Sequence, residues 1–187
     1  MSIDYTQLPA DLPVPEDDGA AEHLPGTRLP QIGLSSSRGG EIDLAELSGL
    51  VVLYVYPRTG IPGQASPAGW DNIPGARGCT PQSCAYRDAS VEFEALGLTV
   101  VGISAQTPEE QREFAEREHI PFPLLSDVEL QLRDMLSLPI FEVDGMTLYK
   151  RLTLVAEAGR IVKAFYPVFP PDRDAVEVLA WLRGRLS

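Results

Sequence analysis

Sulfur and imidazole are scarce in this chain, with two cysteines and two histidines among 187 residues. A structural zinc site takes about four Cys, His or acidic ligands. His23 and His119 lie far apart in the sequence and far from the cysteines, so no metal site is expected. Positive charge is also short: 15 Lys and Arg stand against 27 Asp and Glu, for a net charge of −12. That balance argues against a nucleic-acid binder, which needs a basic patch to neutralise phosphates. It argues equally against binding anionic membrane surfaces. Long hydrophobic runs are missing too. The longest, "GLVVLYVYP" at 49–57, is far below the roughly 20 residues that span a bilayer. The opening "MSIDYTQLPADLPVPEDD" has neither a basic start nor an apolar core, so no secretory signal is read. The expected compartment is the cytoplasm, where thiols stay reduced and a cysteine pair is seldom a permanent staple.

What is present divides unevenly. Residues 1–27 hold six acids (Asp4, Asp11, Glu16, Asp17, Asp18 and Glu22) and neither Lys nor Arg. They read as an acidic, Pro-rich arm, extended or partly disordered, ahead of a single domain over 28–187. A small hairpin and a turn of helix are expected in "RLPQIGLSSSRGGEIDLAELSG". The β-branched and aromatic run "LVVLYVYP" (50–57) reads as a buried strand ended by Pro57. Residues 58–78 follow as a long loop carrying Pro62, Pro67 and Pro74 and five glycines from Gly60 to Gly78. Loops of that length inside a domain are usually functional or mobile.

Helical signals begin at Cys79, with Thr80 as a cap, Pro81 in the first turn, apolar positions at Cys84, Ala85, Val91, Phe93, Ala95 and Leu96, and Gly97 as the stop. "LTVVGIS" (98–104) is a second buried strand. Thr107, Pro108 and Glu110 announce a helix with a capping box. "FPLLSD" (122–127) is a short strand, and Ser126 with Glu129 stand in capping-box register for the next helix. "TLYKRLTLVAEAGRIVKAFY" (147–166) is expected to form two strands around a Glu-Ala-Gly turn. "DRDAVEVLAWLRGRL" closes the chain as an amphipathic helix with Val176, Leu179, Ala180 and Leu182 on its inner side. Alternating strands and helices imply a mixed central sheet flanked by helices. The final hairpin followed by a helix is the layout of a thioredoxin-like α/β fold.

Both cysteines fall in "GCTPQSCAYRD" (78–88). Cys79 stands at a loop-to-helix junction, where free N–H groups and the positive end of the helix dipole favour a thiolate. Arg77, two residues before it, can add positive charge. The thiolate is the nucleophilic form. Cys84 is five residues on, about 7.5 Å along a helix axis and on another face. The pair is then beyond disulfide reach unless the first turns unwind, a spacing suited to a switch. A core role for either cysteine is the plainer reading, since free Cys is often buried, but Gly78 and the Pro/Gly-rich loop make it weaker for Cys79.

The same stretch resembles the G-C-T-x-[EQ]-x-C-x-[FY]-R-D motif of peroxiredoxins of the bacterioferritin-comigratory (Q) type. "VVLYVYP" is similar to the strand that feeds their active site. "VVGISAQTPEEQREFAEREHIPFPLLSD" is similar to their next strand, helix and strand. "YKRLTLVAEAGRIV" resembles the hairpin that carries their active-site arginine. The likeness extends over about 28–187. It implies that Cys79 is the peroxidatic cysteine, Cys84 the resolving cysteine and Arg151 the arginine that supports thiolate and peroxide. The implied reaction reduces hydrogen peroxide and alkyl hydroperoxides through a Cys79 sulfenic acid and an intramolecular Cys79–Cys84 disulfide. Thioredoxin or a similar dithiol would recycle it, in a monomer or weak dimer, with no metal, haem or flavin. Protein-disulfide oxidoreductase and non-enzymatic redox sensor are the rival readings. The C-x4-C spacing, where C-x-x-C would be usual, counts against the first.

The sequence departs from the family's P-x3-T-x2-C pattern. Ala76 stands where the Thr is usual, and 21 residues separate Pro57 from Cys79. Thr59 is the candidate to supply the hydroxyl by folding back to the thiolate. Trp70 reads as an anchor for the long loop, Arg87–Asp88 as a structural ion pair, His119 as a helix-end contact, and Tyr54 and Tyr56 as sheet packing.

Overall fold

A computed structural model describes residues 7–187. Nine strands form in chain order: β1 (Gly33–Ser36), β2 (Glu41–Asp43), β3 (Leu50–Val55), β4 (Leu98–Ser104), β5 (Leu124–Ser126), β6 (Ile140–Val143), β7 (Met146–Tyr149), β8 (Leu152–Glu157) and β9 (Arg160–Phe165). The helices are α1 (Cys79–Asp88), α2 (Ser90–Ala95), α3 (Pro108–Arg117), α4 (Gln131–Leu136) and α5 (Asp174–Leu186). Seven strands make one sheet in the order β2-β1-β5-β4-β3-β8-β9, and β6 pairs only with β7. The central β3 runs parallel to β4 and antiparallel to β8. This is the expected thioredoxin-like arrangement of a mixed sheet between helices.

The two-residue period of a strand explains the two cores. Val51, Leu53 and Val55 of β3 face a layer that includes Leu132 and Leu136 of α4. Val52 and Tyr54, with Tyr56 just beyond the strand, face α1, α2, α3 and α5 through Tyr86, Phe93, Phe114 and Leu182. Tyr54 stacks on Tyr86 at 4.5 Å between ring centres and donates to Ser83 Oγ at 3.1 Å, which seats α1 on the sheet. Tyr56 donates to Gln111 Oε1 at 2.6 Å. Both tyrosines pack in the sheet as expected.

Several local expectations are corrected. The helical stretch after Cys79 is two helices, not one, because Ala89 leaves helical geometry (φ −93°, ψ 4°). Within it Val91 is exposed and Phe93 is the buried side chain. Asp127, not Ser126, caps α4: its carboxylate accepts from Gln131 N at 2.8 Å and Leu132 N at 2.9 Å. Tyr149–OH also donates to it, at 2.6 Å. The capping box of α3, by contrast, forms from Thr107 and Glu110 as expected. The expected strand over 147–157 breaks at Lys150 and Arg151, so β7 joins β6 and β8 joins the main sheet. On α5, Ala175, Val178, Leu179 and Leu182 are buried while Val176 and Ala180 face solvent. At the amino-terminal side, Ala21 and Leu24 belong to the core. Asp18 holds Lys150 Nζ and Tyr166–OH, each at 2.8 Å. The end of the acidic arm is therefore packed on the body.

Gly102 of β4 lies where the sheet meets Tyr54. A Cβ there would sit 2.7 Å from Leu124 Cδ2 and 2.7 Å from Tyr54 Cζ, both on fully buried side chains. Gly102→Ala is expected to cost about 1–3 kcal/mol through overpacking, read as a lower Tm in thermal circular dichroism. An unchanged Tm would show that Tyr54 is free to move.

Candidate active site

The sheet register places Arg151. Leu152 pairs with Val55, so the preceding residue lies beside the point where β3 gives way to the long loop. Arg151 is 3% exposed. Its Nη2 donates to Cys79 Sγ at 3.2 Å and to the carbonyls of Gly75, Ala76 and Arg77 at 3.2, 3.2 and 3.1 Å. Its Nη1 donates to Gln82 Oε1. One side chain thus joins the loop end, the sulfur and the first turn of α1.

Cys79 is the first residue of α1 and is also 3% exposed. Gly78 before it has φ +104° and no capping side chain. A Cβ on Gly78 would lie 2.7 Å from Pro171 Cγ and 2.8 Å from Leu8 Cδ2. Backbone conformation and space both demand glycine there. Thr80, expected as the cap, sits buried inside the first turn instead. No side chain caps α1, so its first N–H groups are not taken up by a cap. The thiol's only carbonyl contact among the described residues is Ala76 O at 3.7 Å. Arg77 does not direct its guanidinium to Cys79; Nη1 binds Asp71 at 3.0 Å, and its carbonyl serves Arg151.

A cavity of about 40 Å³ opens on Cys79 and is lined by Arg58, Thr59, Trp70, Arg77 and Thr80, among others. Thr59 is 2% exposed, and its N–H and Oγ1 both donate to Gln106 Oε1, at 2.8 and 3.1 Å. Its hydroxyl hydrogen is engaged there, and its lone pairs remain able to accept. Trp70 anchors the long loop as expected, packed with Ala76, Val143 and Leu148 against the β6–β7 hairpin.

Cys84 is half-buried and is not among the residues lining this cavity. Its Sγ lies 3.8 Å from Glu118 Oε2. Burial pushes its thiol up to about 11; Arg87 pulls the other way and Glu118 adds to the rise. Arg87 pairs with Asp88 at 2.8 Å as expected and also donates to the Glu118 carbonyl. His119 takes φ 56° just past α3 and its N–H binds Glu116 O, a backbone contact at the helix end. Among the described residues no group of three or more His, Cys, Asp or Glu is gathered to hold a metal.

Two residues of the site carried no assignment from sequence. Gln82 stands in the motif and bridges Arg151 to Asp174, donating to the latter at 2.8 Å. Asp174 is 2% exposed at the start of α5. Its readable signal was an acid on the same helical row as Val178 and Leu182.

A buried cysteine at the head of a helix, supported by an arginine from the neighbouring hairpin of a thioredoxin-like sheet, defines a redox protein. The chain belongs to the Redoxin family, whose model matches residues 24–179. Within it the chain is a peroxiredoxin of the Q (bacterioferritin-comigratory) type, and so a thiol-dependent peroxidase. It is 32% identical over 183 residues to chloroplastic peroxiredoxin Q of Gentiana triflora, covering 94% of this chain and 76% of that protein. It is 26% identical over 155 residues to peroxiredoxin Bcp of Bacillus subtilis, covering 80% and 89%. The structure of peroxidoxin BcpB from Mycobacterium tuberculosis is similar with a TM-score of 0.68 at 27% identity, covering 87% of this chain and 98% of that one. The family reaction takes a peroxide and a thiol reductant. Among the described residues no helix is long and apolar enough to cross a membrane.

In the Cys79→Ser variant Cys84 is the one thiol left. Its thiolate absorbance near 240 nm should rise with a midpoint of about 11. A midpoint near the ordinary value of about 8.5 would show that Cys84 is not held in this half-buried setting.

Proposed function

We propose that Cys79 is the peroxidatic thiolate, with Arg151 and Thr59 aligning the peroxide and Cys84 resolving the product. The observation that carries this reading is the Arg151 Nη2 contact to Cys79 Sγ, 3.2 Å long, on a sulfur that also lines a small cavity. The thiolate sulfur attacks one peroxide oxygen, the O–O bond breaks, and the leaving oxygen departs as water or an alcohol after taking a proton. Cys79 becomes a sulfenic acid. Charge moves from sulfur toward the leaving oxygen during the step, and the fixed guanidinium beside the sulfur stabilises it without reorganising. Thr59 Oγ1, its own hydrogen given to Gln106, accepts from the peroxide O–H.

Resolution requires the first turns of α1 to open, because both cysteines belong to one helix and stand about 7.5 Å apart along its axis. Opening also lifts Cys84 from burial and from Glu118, the two influences that hold its thiol protonated. Release therefore makes Cys84 a better nucleophile at the moment it comes within reach. It displaces hydroxide from the sulfenic sulfur, water leaves, and the disulfide forms. A dithiol, with thioredoxin as the candidate, then reduces it by exchange. The working unit is a monomer or weak dimer in the cytoplasm, with an acidic amino-terminal arm whose end joins the core through Ala21 and Leu24.

The cavity also supports a preference for small peroxides. Its volume is about 40 Å³, where a single water needs roughly 10–15 Å³. A space of that size suits hydrogen peroxide better than the ring of cumene hydroperoxide.

Three outcomes follow. One equivalent of hydrogen peroxide added to reduced protein should lower the intact mass by two hydrogens within seconds, with both thiols lost. Cys84→Ser should trap one added oxygen and Cys79→Ser should not react quickly; an inert wild type would overturn the reading. Arg151→Met should slow peroxide reduction by about a hundredfold or more in stopped-flow. Hydrogen peroxide should outpace cumene hydroperoxide by at least about tenfold, the scale of a misfit in a shaped pocket, whereas equal rates would show that the loop does not confine the site.

A further inference from the structure

Behind the arginine lies a carboxylate that the peroxidase reading does not use. Asp174 Oδ2 accepts from Gln82 Nε2 at 2.8 Å, Tyr86–OH at 2.9 Å and Thr153 Oγ1 at 2.7 Å. Three elements meet on that oxygen: Gln82 and Tyr86 from α1, Thr153 from β8, and Asp174 itself from the first turn of α5. Burial raises its pKa, and these three hydrogen bonds and Arg151 oppose the rise.

We propose that Asp174 is a positioning residue of the peroxidase site, which fixes the Gln82 amide so that its oxygen faces Arg151 and thereby aims the guanidinium at Cys79. This rests on the assignment of Cys79 and Arg151 made above. The argument is one of donor and acceptor inventory. An ionised carboxylate only accepts, and a guanidinium only donates. A glutamine between them has one workable orientation, with NH₂ to Asp174 and Oε1 to Arg151. A neutral amide at 174 offers a donor as well as an acceptor, so it no longer opposes a flip that sets the Gln82 NH₂ against the guanidinium, donor facing donor, and one of the two constraints on the amide is lost. Among the described residues Arg151 makes no direct ion pair with a carboxylate. The logic is that of a catalytic group oriented by a third residue.

A purely structural Asp174 would tie α1 to α5, and its loss would lower stability irrespective of what stands at 82. The test is a charge exchange. Asp174→Asn, Gln82→Glu and the double variant are each titrated with hydrogen peroxide in stopped-flow, with Tm recorded. Asp174→Asn lets the amide flip, and Gln82→Glu sets two carboxylates face to face. Each single variant should lower the second-order rate constant by about tenfold, as small misplacements of reacting groups do. The double variant restores one acceptor toward Arg151 and one donor toward Glu at 82. It should return to within about threefold of wild type, a non-additivity expected only of coupled neighbours. A folded single variant at the wild-type rate, or a double variant as slow as the slower single, overturns the proposal. If one single variant does not fold, the other single and the double decide. If neither folds, the rate of the double alone decides. Cys79→Ser run beside them separates the two levels: fast reaction there refutes the site itself, while an inert Cys79→Ser with an additive cycle refutes only the role of Asp174.

Discussion

A cation taken out of water must be met by hydrogen bonds, and here that requirement organises the site. Arg151 is almost wholly buried, which is costly for a charge unless partners surround it. Its acceptors are three successive carbonyls, a glutamine oxygen and the sulfur of Cys79. The carbonyls fix the end of the long loop, the glutamine fixes the first turn of α1, and the sulfur lies between them. The β-sheet register delivers the arginine to this point, and the break between β7 and β8 lets it turn inward. Without the guanidinium, three carbonyls would converge on nothing.

Much of this was legible in the sequence because it depends on short-range pattern. The β-branched run of β3, the Gly-Cys-Thr-Pro entry to α1 and the capping box of α3 each carry their cause within a few residues. What was not legible depends on partners far along the chain. Ser126 and Asp127 are adjacent and both are good caps; the contact from Tyr149 that favours Asp127 comes from another hairpin. Arg77 looked free to serve Cys79 until the fold brought it to Asp71. Thr59 was picked out as the hydroxyl that could fold back to the thiolate, yet its orientation is set by Gln106, 47 positions away. The inner face of α5 was read one position off at Val176 and Ala180, which hid the most informative feature of that helix, an acid on the apolar row.

The inserted loop of 58–78 is tied down at Trp70, which packs with Val143 and Leu148 of the β6–β7 hairpin. The small second sheet thus has a use. Among the described residues it has no pairing with the main sheet, and it gives the insertion a wall to lean on, so that a stretch rich in glycine and proline still lines a defined cavity. The missing Thr before Cys79 and the length of the insertion belong together, because the same loop that removes one hydroxyl brings Thr59 to the cavity.

The unequal burial of the two sulfurs sorts reactants by size. Cys79 is reached through a space of about 40 Å³, open to a small peroxide and closed to a folded reductant, while Cys84 is only half-buried. In the proposed cycle electrons and oxygen therefore use different doors. A protein dithiol has no path to the reduced or freshly oxidised Cys79, and meets the chain only after the helix has opened and passed the oxidation outward. The order of the two half-reactions is written into the accessibility of the sulfurs, with no further element needed to keep reductant and oxidant apart.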